Sequence, residues 1–151
     1  MGQNLLNYTT EIPVEKTIGE IQQVLVKAHA TSILTEYDNG AIKAIMFKIK
    51  GKNGQELPFR LPAKVEEAYR VMYGNRQQWE VTRYGDKWHE QARRTAWRIL
   101  LTWVKAQLAL IELELAKPEE VFLPYLLVKG NKTLFEDVQD KHFLLGSGRE
   151  E

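Results

Sequence analysis

The chain has 151 residues and a mass of 17.5 kDa, a size typical of one domain that buries its core without disulfides. It contains no cysteine, which excludes thiolate catalysis, cysteine-ligated zinc sites and iron–sulfur clusters, and which favours a reducing compartment. The net charge of +1 excludes a uniformly basic nucleic-acid coat. With no signal-peptide or membrane-span pattern in the sequence, we expect a cytoplasmic protein without a membrane partner.

Charge is unevenly distributed along the chain. Residues 1–59 carry six basic and six acidic groups, residues 60–105 carry ten and five, and residues 106–151 carry five and nine. The middle segment is therefore +5 and the last is −4. Two interpretations stay open: the middle segment presents a directed positive field, or the acidic last third folds over it.

The first half of the chain predicts one helix and three antiparallel strands. Apolar residues at spacings of three and four predict a helix over about 14–29. A β-rich run, Thr31–Tyr37, precedes an Asn39-Gly40 pair suited to a tight hairpin turn, and a strand over about 41–49 follows. A glycine-containing loop then leads into a third strand over about 57–61.

Helices dominate the predictions for the second half. Pro62 fits the first turn of a helix that continues to Met72 and stops at Tyr73-Gly74-Asn75. Residues 76–87 are predicted to form a loop or an irregular helix. From about 88 to 116 the chain has neither glycine nor proline, which predicts one long helix, and its second half is apolar nearly all round.

The predicted fold class is α+β, with a small three-stranded antiparallel sheet packed against helices and one long buried central helix. We predict a single domain over 1–151, with an α-β-β-β-α portion at about 12–73 and a helical portion at about 88–128. A short helix or turn is expected after Pro118, and a weakly ordered tail at about 144–151.

Metal and catalytic motifs do not emerge from the residues. His29, His89 and His142 are too dispersed for a typical metal site. The sequence from Trp88 begins like a metalloprotease helix, but Arg93 stands where the second histidine belongs. No nucleophile elbow or phosphate-binding loop is found. We therefore assign no catalytic residue, metal or cofactor, and expect a non-enzymatic function.

Arginines and tryptophans interleave between Arg70 and Lys105, which points to a phosphate-bearing ligand. Guanidinium groups match phosphate oxygens, and flat rings offer a face to a base. The residues before the predicted helix start would also lie near exposed N–H donors. The predicted ligand-binding residues are Arg83, Lys87, Arg93, Arg94 and Arg98 for phosphate, and Tyr84 and Trp88 for stacking, with Trp79 as a further stacking candidate.

An alternative interpretation stays open for the same stretch. In it, Trp97 and Trp103 belong to the core and the arginines pair with the acidic last third. The predicted order of helix, three strands and helix also matches a double-stranded-RNA-binding domain, which needs a basic start to its second helix. Glu66 and Glu67 stand there instead, which argues against that function.

Several stretches resemble a group of small proteins encoded by bacteriophages and prophages. They are Ile12–Ile18, Ile33–Tyr37, Pro58–Pro62, Ala96-Trp97-Arg98 and Val121–Leu126. The resemblance covers most of the chain. It implies a DNA-handling accessory protein, or an inhibitor that binds host defence proteins or their nucleotide signals, and it carries over no active-site residue.

The sequence thus predicts a non-enzymatic phage accessory protein that binds nucleic acid through an arginine and aromatic face in the host cytoplasm. Two alternatives remain: an anti-defence protein that sequesters a small nucleotide signal in a basic pocket, and one that inhibits a host defence protein by direct binding. The choice between DNA and RNA stays open, as does assembly into a homo-oligomer.

Overall fold

The α-β-β-β-α order expected for the first half is present in the computed structural model, which describes residues 5–144. The elements are α1 (Val14–Lys27), β1 (Ala30–Asp38), β2 (Ala41–Lys50), β3 (Glu56–Pro62), α2 (Val65–Tyr73), α3 (Gln78–Glu112), α4 (Pro118–Val121), a 3-10 turn (Leu123–Tyr125), β4 (Leu127–Lys129), β5 (Lys132–Thr133) and α5 (Leu134–Asp140). The α+β prediction is confirmed. Apart from Leu144, the predicted weak tail lies outside the described residues.

Strands β1, β2 and β3 form an antiparallel sheet in that order, and β4 pairs with β5 in a separate two-stranded sheet. Asn39 and Gly40 join the first two with φ angles of 51° and 82°, the left-handed values that this pair was expected to supply. In the register, Ile33 lies opposite Phe47, and Phe47 opposite Phe59. Alternation along each strand places these side chains on one face, so that face is the apolar one.

Helices α1 and α3 cover this apolar face. Trp97 of α3 is fully buried, and the Phe47 ring stacks on Phe59 at 5.3 Å between centroids. Trp103 is half-buried, with its ring 5.9 Å from that of Phe122 and 5.5 Å from that of Tyr125. The interpretation of Trp97 as a core residue is therefore confirmed, and Trp103 packs at the edge of the same core.

Two predicted helix starts are corrected. Pro62 ends β3 opposite Ala44, and the Ala63 N–H continues the ladder to the Lys43 carbonyl at 3.0 Å, so α2 begins at Val65. The segment over 76–87, predicted as a loop or an irregular helix, is mostly regular helix. There α3 begins at Gln78, because the Gln77 N–H donates to the Glu80 carboxylate at 3.0 Å and satisfies the entry to the helix.

The long central helix is confirmed, but its second half is buried on one side. Leu101, Val104 and Leu108 face the core, whereas Leu110 is exposed. The helix ends at Glu112, four residues before the predicted Ala116. Glu114 takes a left-handed φ of 59°, and the Leu115 N–H closes the end onto the Leu110 carbonyl at 2.9 Å.

The last third returns to the sheet beside β3. Phe122 is buried in the core, and Leu126 forms a single bridge with Phe59. In α5, Asp137 pairs with Lys141 at 3.1 Å and Asp140 pairs with Lys132. These acidic groups therefore pair with lysines of their own segment rather than with the arginines of α3. No helix in the described part of the chain is long and apolar enough to cross a membrane.

Candidate functional site

Arg98 ties two helices together. Its Nη1 lies 3.2 Å from the Glu20 carboxylate and donates to the buried Thr17 hydroxyl at 3.2 Å, both on α1. Only 17% of the Arg98 side chain is exposed. Its charge is thus already matched inside the helix packing, and it offers little surface to a phosphate.

Arg93 and Arg94 are also occupied. The Glu90 carboxylate lies 2.7 Å from Arg93 and 3.8 Å from Arg94. Arg94 also donates to Gln91 and, at 3.4 Å, to the Thr10 carbonyl. Structural roles therefore account for three of the five predicted phosphate contacts, and we leave Arg93, Arg94 and Arg98 out of the contact surface.

The Thr10 contact belongs to a segment that we call the N-terminal strap, residues 5–10. Gln91 donates to the strap carbonyls of Tyr8 and Thr10 at 3.0 and 2.8 Å, and the Thr95 hydroxyl donates to that of Asn7 at 3.2 Å. Backbone groups of the strap are thus satisfied by side chains of α3 rather than by a strand partner.

Arg83 and Lys87 differ from the other predicted contacts because they are exposed. Neither forms an ion pair within residues 5–144. They are four residues apart on α3 and so share one side of it with Trp79, which is 58% exposed. The Arg83 guanidinium lies over the Tyr84 ring at 5.5 Å. We call Trp79, Arg83, Tyr84 and Lys87 the basic-aromatic stripe.

The predicted help of a helix N-terminus to phosphate binding by Arg83, Tyr84 and Lys87 is wrong. Because α3 begins at Gln78, Arg83, Tyr84 and Lys87 lie in its second and third turns and do not precede it. Their backbone N–H groups point along the helix and are used within it, so no free N–H donors assist an anion there. Attraction to phosphate at the stripe rests on the side chains.

Trp88 is a packing residue between α2 and α3. Its ring stacks on Tyr73 at 4.8 Å with 6° between planes, and the Arg76 guanidinium lies 5.8 Å from the ring centroid. Tyr84 lies against it at 5.6 Å. Trp88 therefore packs against the stripe residue Tyr84 from the side of α2, while Trp79 and Tyr84 present the more exposed rings. Sequence reasoning missed Tyr73 and Arg76, which the α2–α3 turn brings to the stripe.

Beside this cluster lies a cleft of about 840 Å³ between the strap and the end of α2. Arg70, Arg76 and Glu11 line it, so basic groups outnumber acidic ones, and neither arginine forms an ion pair in the described range. Burial raises the pKa of Tyr73, another lining residue, although the charges of Arg76 and Arg94 act to lower it. We call this the basic cleft. In the sequence, the only sign of this cleft is a pair of arginines on either side of Gly74, and their spacing matches no known binding motif.

Gly74 shapes the connection that forms the cleft. A Cβ there would lie 2.3 Å from the Arg70 carbonyl oxygen, so another residue would force the backbone to shift. The close approach turns the chain from α2 into α3 and keeps Arg70 and Arg76 on the same cleft. The sequence predicted this glycine as a helix stop, and the structure gives it that role with a steric cause.

His89 has packing partners. Its ring stacks on Tyr69 at 3.8 Å, its Nε2 lies 3.6 Å from the Glu66 carboxylate, and its Nδ1 lies 3.1 Å from the Gly85 carbonyl. No cluster of three or more histidine and carboxylate side chains suited to a metal ion is found among residues 5–144. Glu66 and Glu67 are exposed at the start of α2, which therefore lacks the basic entry of a double-stranded-RNA-binding domain.

Comparison with protein-family models, with curated proteins and with solved structures finds no match to this chain.

Proposed function

We propose that this protein binds single-stranded nucleic acid without catalysing a reaction, through the basic-aromatic stripe together with Arg76. The observation that carries the proposal is the exposure of Arg83 and Lys87 beside the rings of Trp79 and Tyr84. Cationic side chains without carboxylate partners are free to pair with phosphates, and exposed aromatic rings next to them can stack on bases.

Single strands suit this surface better than duplexes. A base can stack on Trp79 or Tyr84 only when it has left its own base stack, which costs least in a single strand. Base-paired nucleic acid would present mainly phosphates to the stripe and would leave the rings unused. Three cations, Arg76, Arg83 and Lys87, make the expected affinity modest and dependent on salt.

We infer the biological context from the sequence resemblance described above. A phage-encoded protein of this kind would act in the cytoplasm of the host cell, as an accessory in handling nucleic acid. That origin stays a proposal, and so does self-association.

A second candidate function is favoured by the basic cleft. A small nucleotide could place its phosphates between Arg70 and Arg76, and a cleft of about 840 Å³ has the size of a typical small-ligand site. Such a protein would sequester a nucleotide signal of host defence. Binding in a cleft should be chemically selective, whereas binding along the stripe should tolerate many sequences.

Fluorescence anisotropy with labelled single- and double-stranded oligonucleotides tests the first proposal. We expect binding at low salt, preference for single strands, and loss of at least about tenfold in affinity for the double variant Arg83→Glu/Lys87→Glu. Lys105→Glu is the matched control, because Lys105 is also exposed on α3 but lies outside the stripe.

Full affinity in the Arg83→Glu/Lys87→Glu variant would remove the stripe from the proposal. Absence of oligonucleotide binding by the wild-type protein at low salt would reject the function itself. The second candidate is then measured by calorimetry with linear and cyclic dinucleotides, where Arg70→Ala and Arg76→Ala should each weaken binding while Arg83→Ala should not.

A further inference from the structure

An apolar groove of about 390 Å³ lies between α2 and α3, away from the stripe. Val71 on α2 lines one wall, Ala96, Ile99 and Trp103 on α3 line the other, and Leu5 of the strap lies at its side. Val71 is 56% exposed although it points into an apolar site. Lys64 and Glu67 also line the groove, whose other lining residues are mostly apolar, and an open surface of this kind offers another molecule apolar area to bury.

The groove continues into the basic cleft. Val71 lines both, so the two adjoin as one trough along α2 that is mostly apolar at one end and carries Arg70, Arg76 and the single carboxylate Glu11 at the other, where positive charge prevails. We call this the α2–α3 trough. Its occupant should therefore have apolar groups followed by negative charge.

Three kinds of occupant can be compared on this chemistry. A nucleic-acid strand would have to lay phosphates over the apolar half, which would remove them from water without a partner. Binding sites for small apolar molecules usually enclose most of the ligand's surface. This groove is open to solvent, so a fatty-acyl chain bound in it would stay largely hydrated. A protein helix can bury one face and leave its polar face in water.

The shape of the groove also suits a helix. Its walls are two helices, with lining residues on α3 spaced by three and four positions, Ala96, Ile99 and Trp103. Such a pair presents ridges between which the side chains of a third helix can interdigitate. Since α2 has nine residues and is about 13 Å long, the trough has room for two to three turns of a partner.

We propose that the α2–α3 trough binds an amphipathic helix of another protein, whose apolar residues fill the groove and whose carboxylates at one end pair with Arg70 and Arg76. This interaction goes beyond nucleic-acid binding, uses none of the stripe residues, and shares only Arg76 with the proposed nucleic-acid site.

Panning a phage-displayed library of random peptides of about 12 residues, three helical turns, on the immobilised full-length chain tests the proposal. Enriched peptides should combine apolar residues at spacings of three and four with aspartate or glutamate near one end. As synthetic peptides, they should bind Val71→Glu at least about tenfold more weakly than the wild-type protein, and Arg70→Ala severalfold more weakly.

Val26→Glu is the matched control, since Val26 is a 60% exposed helical valine on α1, outside the trough. It should bind the peptides like the wild-type protein, and circular dichroism should show both variants folded. Failure to enrich any peptide, or peptides that bind Val71→Glu at full strength, would overturn the inference. The uncharged variant Val71→Gln, which adds no carboxylate beside Arg76, should weaken peptide binding and leave oligonucleotide affinity unchanged, so the outcome separates this site from the stripe.

Discussion

An arginine's partners decide whether it serves the fold or a ligand. Arg98 contacts Glu20 and Thr17 at 3.2 Å and is largely covered, whereas Arg83 is exposed and lies over the ring of Tyr84. A carboxylate that already holds a guanidinium must be displaced before a phosphate can bind, and a partly buried pair resists this. Two arginines of one helix therefore have opposite expected phenotypes.

We expect Arg98→Ala to lower the free energy of unfolding by about 2 kcal/mol, because it leaves Glu20 without its partner and removes a hydrogen bond to buried Thr17. Arg83→Ala should change it by less than about 0.5 kcal/mol, as is usual for an exposed side chain. Urea denaturation of both variants measures the difference. Equal stability of the two would contradict the structural role of Arg98.

Glu36 gives a residue-level prediction about pH. A hydrogen bond from Arg60 at 2.9 Å, helped by the charges of Arg60 and Lys43, lowers the pKa of Glu36 below its ordinary value of 4.5 even though burial acts against this. A carboxylate whose pKa is lower in the folded state adds stability above its unfolded pKa and loses it as pH falls through the folded one.

Stability should therefore fall as the pH drops below about 4.5, and Glu36→Gln should lose part of this dependence. At neutral pH that variant should be less stable by about 1 kcal/mol, since it gives up charge-assisted hydrogen bonds between β1 and β3. Urea denaturation between about pH 3 and 7 measures both effects. Glu67→Gln, a change at an exposed carboxylate, should leave the profile unchanged.

At the scale of elements, sequence patterns describe the conformation and the stability of helix ends less well than those of helix interiors. Glu114 follows the end of α3 with a φ of 59°, where a Cβ costs about 1 kcal/mol or more and glycine is favoured. The adjoining hydrogen bonds from Glu114 to Ile111 and from Leu115 to Leu110 show a formed helix terminus. The strain therefore comes from the Cβ of Glu114 in a left-handed conformation, and not from a distorted end of α3.

We expect Glu114→Gly to raise the free energy of unfolding by about 0.5 to 1 kcal/mol, with relief of the left-handed strain exceeding the added entropy of the unfolded chain. Glu112→Gly, two residues earlier and still helical, should instead lower it by about 1 kcal/mol. Thermal unfolding followed by circular dichroism compares the two. A loss of stability in both would show that position 114 is not strained.

Much of the element order follows from local signals, and the exceptions have identifiable causes. The Asn39-Gly40 hairpin and the long helix depend on turn chemistry and on the lack of helix breakers within a short window. The start of α3 at Gln78 was missed because Gly85 and Asp86 are typical of a loop and outweighed the local Gln77–Glu80 capping signal. Pro62 fits a helix entry equally well and lies in a strand because Ala44 is opposite it.

The exposure of the candidate site residues could be predicted from the sequence only in part, and the phosphate ligand stays a proposal. Arginines and aromatic residues in the middle segment pointed to a phosphate ligand, and the structure places Arg83, Lys87 and Tyr84 on an accessible stripe. Arg98 and Trp88 could not be assigned in this way, because their partners Glu20 and Tyr73 lie on other helices. Arg70 and Arg76 join a cleft only through the turn at Gly74.

For the whole molecule, two acidic groups of the last third, Asp137 and Asp140, pair within that third and do not neutralise the basic middle segment. The +5 middle segment contains α2 and most of α3, while acidic groups of α5 are paired with Lys132 and Lys141. The acidic last third therefore leaves Arg83 and Lys87 uncovered. A nearly neutral protein can thus attract an anionic strand to one side while its total charge stays near zero.

This arrangement predicts how nucleic-acid affinity depends on salt. If Arg76, Arg83 and Lys87 each neutralise one phosphate of a single strand, the logarithm of the association constant should fall with the logarithm of salt concentration with a slope of about −2, since each phosphate contributes about −0.7. Arg83→Ala should make the slope less negative by about 0.7, while Lys105→Ala should leave it unchanged. Anisotropy titrations across a series of salt concentrations give all three slopes. A slope near zero with affinity retained would mean that stacking or the basic cleft, rather than counterion release at the stripe, holds the ligand.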